Sequence, residues 1–174
     1  MAALLMAPIA ADASTATSTI DGGTLSFVSA PGNVSFSSTL DGTNQVANSQ
    51  QTFDVGDSTG SGAGWNITST STTFASTVGG HTLANNSVSI QAIGVPSATC
   101  DALSTCTTAI NNVSYPYALP ADTVAPSASK MFNADVDSGL GNQHLTPTWS
   151  LALPANTYAG TYQSTWTFSL VSGP

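Results

Sequence analysis

Two stretches of this chain alternate strictly between apolar and hydroxyl-bearing residues, and that period admits little besides β-structure. In the first, Leu145, Pro147, Trp149, Leu151 and Leu153 fall on one face, and Thr146, Thr148 and Ser150 on the other. In the second, Thr161–Val171, the inward set is Tyr162, Trp166, Phe168 and Leu170. Successive side chains of a strand point to opposite faces, so each stretch buries one side and wets the other. Pro147 has no N–H to give a ladder and is expected at an edge or bulge. The short connection Pro154–Gly160 suggests that the two strands are antiparallel neighbours, with Trp149, Trp166 and Phe168 packed in one layer.

The rest of the composition agrees. Only 6% of the 174 residues are charged, Glu and Arg are absent, and Lys130 is the one basic side chain. Glu, Lys and Arg cover the exposed faces of most helices, so their near absence beside abundant Ser and Thr argues for an all-β fold. Strands are expected at Thr24–Ser29, Asn33–Ser37, Gln50–Val55, Gly64–Thr72, Ser87–Ala92, Met131–Ala134, Thr146–Leu153 and Thr161–Val171, separated by Gly-, Asn- and Pro-rich turns. That spacing reads as an antiparallel β-sandwich, jelly-roll or Ig-like. A net charge of −8 with a single cation excludes a nucleic-acid phosphate backbone as partner and disfavours anionic lipid. No apolar run approaches the ~20 residues of a membrane helix, so no membrane insertion is expected.

Residues 1–13 resemble the end of a secretory leader, with an apolar Leu4–Ile9 and a small-x-small pattern at Ala11-Asp12-Ala13. Residues 14–20 form a polar arm, and 21–174 a single domain. Cys100 and Cys106 lack the nearby His or further Cys of a zinc site. They read as a small-loop disulfide of an oxidising compartment, the alternative being two buried thiols. The stretch 96–126, which contains them, reads as a long stapled irregular insertion. The expected location is secreted, at the cell surface or in the medium. With the last strand running to Pro174, retention there is expected to fall to the folded surface rather than to an anchoring tail.

Two segments carry a family resemblance. Gly60-Ser-Gly-Ala-Gly-Trp65-Asn66-Ile67-Thr68 and Leu151-Ala-Leu-Pro-Ala-Asn-Thr-Tyr-Ala-Gly-Thr-Tyr162 through Pro174 resemble the WxL-domain surface proteins of Gram-positive bacteria. The resemblance covers Asp21–Ala92 and Leu145–Pro174. It implies a β-rich domain with two Trp-x-Leu motifs that attaches non-covalently to the cell wall through peptidoglycan. Trp65, Asn66 and Ile67 would be the first motif, with Ile for Leu. The second falls on Phe168-Ser169-Leu170, or two residues earlier on Trp166-Thr167-Phe168. Trp65, Asn66, Ile67, Trp166, Phe168 and Leu170 are therefore the wall-binding candidates. As inward positions of strands, they are also candidates for the core, the reading that the alternation favours.

Other chemistry is sparse. Asp135-Val-Asp137-Ser-Gly139 has alternate carboxylates and a turn glycine, the spacing of a Ca²⁺ loop, but no Glu exists to close one; an Asp-rich turn is the competing reading. No other cofactor is expected. His81 and His144 accompany no nucleophile elbow, and no convergent acid–base pair stands out. The expected function is non-enzymatic: a surface protein whose partner is peptidoglycan or another wall polymer. The alternative is a structural subunit of an extracellular filament, partnered with copies of itself by strand donation from the arm.

Overall fold

The computed structural model describes residues 14–174, and the leader assigned to residues 1–13 lies outside them. Fourteen strands occur among the described residues. They are β1 (Leu25–Ser29), β2 (Gln45–Gln50), β3 (Phe53–Asp57), β4 (Trp65–Thr72), β5 (Ala75–Ser76), β6 (Val88–Ile90), β7 (Thr99–Cys100), β8 (Tyr117–Ala118), β9 (Ala121–Asp122), β10 (Ser129–Ala134), β11 (Gly141–Leu145), β12 (Thr148–Leu153), β13 (Tyr162–Gln163) and β14 (Trp166–Ser172). One sheet runs β1-β3-β11-β7, a second β2-β12-β6-β8, and a third β10-β4-β14, with β9 parallel to the end of β4. β13 and β5 form a small ribbon. The other pairings are antiparallel, and the sheets enclose one apolar core, as in a β-sandwich.

Two of these sheets are halves of one bent pair of strands. β3 pairs with β11 and β2 with β12, and the register passes unbroken from Leu145↔Phe53 to Thr148↔Gln50. The bend falls at Gln51-Thr52 opposite Thr146-Pro147. There the Gln51 N–H donates to the Pro147 carbonyl at 3.3 Å, and the Thr52 and Thr146 hydroxyls meet at 3.2 Å. Pro147 contributes no N–H, so the ladder is weakest there, and a strand that must change sheets bends where its ladder is weakest. Pro147, expected at an edge or bulge, instead sits at a bend through which the register runs unshifted. The alternation survives it, since Leu145, Pro147, Trp149 and Leu151 are all buried.

The last strand does not pair with Thr146–Leu153, as the short connection had suggested. Both sides of β12 are taken, by β2 and by β6. Residues 154–161 instead cross to the opposite layer. Tyr162–Gln163 pairs with Ser76 and Ala75, just beyond β4, and this delivers β14 to the side of β4. The expected continuous strand is interrupted at Ser164-Thr165, where the Ser164 hydroxyl and Thr165 N–H bond the Thr72 carbonyl and hydroxyl. The aromatic layer is as expected, but formed across the sandwich: the Trp149 ring lies 5.0 Å from Trp166 and 6.3 Å from Phe168.

Three further differences bear on function. Asn33–Ser37 forms no ladder. β2 and β11 were not anticipated, because Gln45-Val-Ala-Asn-Ser-Gln50 and Gly141-Asn-Gln-His-Leu145 are too polar to show an apolar period. The 96–126 stretch is mostly irregular but gives β7, β8 and β9 to the three main sheets, so it is stitched into the sandwich along its length.

Trp149 is fully buried at the bend, and its Nε1–H donates to Gln51 Oε1 at 2.9 Å. Trp149→Ala is expected to cost about 3–5 kcal/mol in denaturant unfolding, the range for an aromatic cavity in a packed core. A chain ended before Tyr162 strips β4 of its seven-residue partner β14 and is expected to show no cooperative unfolding transition.

Candidate functional site

The structure brings the two motif segments together. β4 and β14 are antiparallel neighbours, with Leu170 opposite Ile67, Val171 opposite Asn66 and Ser172 opposite Trp65. The Asn66 amide donates to the Gly173 carbonyl at 2.7 Å, and the Gly173 N–H to the Gly64 carbonyl at 2.9 Å. Trp65 and Ile67 are wholly buried, and Asn66 nearly so. The Trp65 indole N–H reaches the Gly139 carbonyl at 3.0 Å. Glycine is required there: φ is +81° and a Cβ would lie 2.5 Å from the indole nitrogen. These residues pin the end of the chain into the sandwich and offer no surface to a ligand.

Alternation then decides what faces out. Between the inward residues of β4 and β14, the register sets Thr70 beside Thr167 and Thr68 beside Ser169. Lys130 on β10 lies on the other side of Thr68. The outward face of the motif strands is thus a ladder of hydroxyls with the chain's single cation at its border. Lys130, Thr167 and Ser169 are exposed.

Trp166, Phe168 and Leu170 are only half-buried. Trp166 and Phe168 look into an open groove of about 1660 Å³, bordered by β14, by Phe27 of β1 and by the strandless segment 30–40. Its floor is aromatic, with Trp166 meeting Phe36 and Phe74 at 6.3 Å each. Its rim is hydroxyls and amides, and none of the lining residues is charged. Gln51 holds one wall, since its Nε2 donates to the Gly32 carbonyl at 2.6 Å. Gln51, Phe36, Phe74 and Lys130 were not legible as site residues, because their roles come from elements distant in sequence. The alternation of β14 and the motif resemblance were the signals that marked Trp166 and Phe168.

The remaining candidates are engaged in structure. The Asp135 carboxylate accepts from the Asn112 amide at 2.8 Å and from the Val136 N–H at 3.1 Å. Asp137 sits at φ +59°, its N–H on the Gly62 carbonyl. Among the described residues no three His, Cys, Asp or Glu side chains converge as a metal site. Cys100 and Cys106 form the expected disulfide. Its loop is hooked to β11 by Asp101, 2.8 Å from His144 Nδ1. His81 stacks on Tyr158 at 3.8 Å. Among the described residues no helix is long and apolar enough to cross a membrane.

No family model matches the chain, and no curated protein or solved structure matches it.

Two phenols, Tyr115 half-buried and Tyr117 buried, bolt the 96–126 stretch to the sandwich. The Tyr115 hydroxyl donates to the Met131 carbonyl at 2.7 Å. The Tyr117 hydroxyl meets Ser69 Oγ and Ser129 Oγ, each at 2.8 Å. Burial pushes Tyr115 up from 10.0 to about 12 and raises Tyr117 also. The unfolded chain therefore releases these protons first, so their contribution is intact below pH about 10 and falls as pH climbs towards 12. Chemical denaturation across that range should show the decline, smaller in Tyr115→Phe. At neutral pH Tyr117→Phe leaves the buried Ser69 hydroxyl without that partner and is expected to cost about 1–3 kcal/mol.

Proposed function

We propose that this chain is a non-enzymatic extracellular surface protein of the WxL type, held non-covalently by a cell-wall polymer of the peptidoglycan class. One observation carries the reading. Two motif segments about a hundred residues apart in sequence are adjacent strands, and their shared outward face is a hydroxyl ladder with one cation. The motif's aromatic and aliphatic residues hold the strands in register, and the contact belongs to the residues between them, Thr68, Thr167 and Ser169, while the Thr70 hydroxyl donates to the Pro126 carbonyl at 2.7 Å. Hydroxyls on a flat sheet exchange hydrogen bonds with the hydroxyls and N-acetyl groups of a glycan, and Lys130 is placed for a carboxylate of the polymer. A chain of net charge −8 has little else to offer an anionic wall. The disulfide fits an extracellular setting.

Co-sedimentation with purified sacculi tests this. The protein is expected to pellet only when sacculi are present. Thr167→Glu with Ser169→Glu adds two like charges to the face and is expected to cut retention at least about tenfold, a change of ~1.4 kcal/mol, while the circular dichroism spectrum is unchanged. Equal recovery with and without sacculi would sink the proposal. Retention indifferent to the double substitution would move the contact off this face.

A further inference from the structure

Among the described residues, the groove along β14 runs beside a strand edge that has no partner. β14 pairs with β4 on one side only, and β1 with β3 on one side only, and these two strands meet at the groove. Both the inward Trp166 and Phe168 and the outward Thr165 and Thr167 line it, so the groove follows the chain from Thr161 into the first three residues of β14. Unpaired N–H and C=O groups above an aromatic floor are what an added strand satisfies, the first by ladder bonds and the second by alternate side chains.

The molecule also carries an exposed segment outside any ladder. Residues 14–22 are exposed throughout, and Ile20 is 91% exposed. They are uncharged as far as Asp21 and favour extended structure, with Thr15, Thr17 and Thr19 on one face and Ala16, Ser18 and Ile20 on the other. Residues 14–20, extended, reach ~23 Å, against the ~26 Å of the groove-lining run Thr161–Phe168.

The arm is directed away from its own groove. The Gly23 N–H donates to the Ser58 carbonyl at 2.7 Å and the Thr24 N–H to Ser58 Oγ at 2.9 Å, which prolongs the β1–β3 ladder past the end of β1. The approach is close enough that a Cβ on Gly22 would lie 2.4 Å from the Thr59 carbonyl oxygen. Folding back beside β1 would require a reversal at Asp21–Gly23 and the loss of these bonds.

We infer that the groove beside β14 receives residues 14–20 of a second copy of this chain as an added strand, with Ala16 and Ile20 turned onto the aromatic floor. Donor and acceptor surfaces differ, so the contact is head-to-tail and grows into a filament unless its rotation closes a ring. Thr68 and Ser169 of the hydroxyl face lie away from the groove and stay free in such an assembly, whereas Thr167 stands at its margin.

Sedimentation of the full chain over a concentration series tests this. The expected result is association that rises with concentration. Ile20→Asp and Ala16→Asp are each expected to weaken it at least about tenfold with unchanged circular dichroism, since both positions are exposed in the single chain. A free peptide of residues 14–22 should cap the assemblies and reduce their mass. A single-chain mass at every concentration overturns the inference, as does association indifferent to both substitutions. Dissociation by an N-acetylglucosamine oligomer but not by the peptide also overturns it and gives the groove to a glycan.

Discussion

The bend at Pro147 is the constraint around which the sandwich is built. An unbroken antiparallel register carries β3–β11 into β2–β12, so one pair of strands supplies the centre of two sheets. Trp149 fills the angle between them, and Gln51 satisfies its indole N–H from the partner strand. Gln51 is itself buried, and its remaining amide group reaches Gly32. The polar atoms of the bend are thereby paired, as a low-dielectric interior demands. Because β12 has neighbours on both sides, the last strand has to find its partner in the other layer. The third sheet, the groove and the outward hydroxyl face all follow from that displacement.

The motif residues acquire a different meaning in this setting. Trp65 packs against Phe132 at 5.8 Å and donates into the Gly139 turn, while Asn66 secures the backbone near Pro174. Such residues mark a fold because their loss would open it, and buried positions do so without touching a ligand. The outward face left over carries hydroxyls, and Lys130 stands on β10 beside the first motif strand, β4. On our reading the wall contact and the self-contact meet only at Thr167, and the rest of the hydroxyl face, Thr68 and Ser169, would let an assembled protein remain bound.

Much of this was legible beforehand and some was not. The inward sets of β12 and β14 were readable from alternation alone, because the strand period is a local property of the backbone. So was the disulfide, since two cysteines six residues apart in a domain of this kind have one plausible partner each. β2 and β11 were not readable, since their central positions hold Ala47, Asn48 and Gln143, which show no apolar rhythm; β11 draws its burial from what packs over it. Lys130, unremarkable in sequence, gained a place only through its register with Thr68.

By itself the sequence determined that the chain is β-rich, which faces of its clearest strands turn inward, and that helices have almost no residues to cover them. Each of these depends on neighbours a few positions away. Only the tertiary structure decided which strand β14 joins, that Pro147 is a bend between sheets rather than an end, and that an open edge lies over an aromatic floor. Strand pairing is a competition for free edges among elements far apart in the chain, and no local pattern records which edges are already filled.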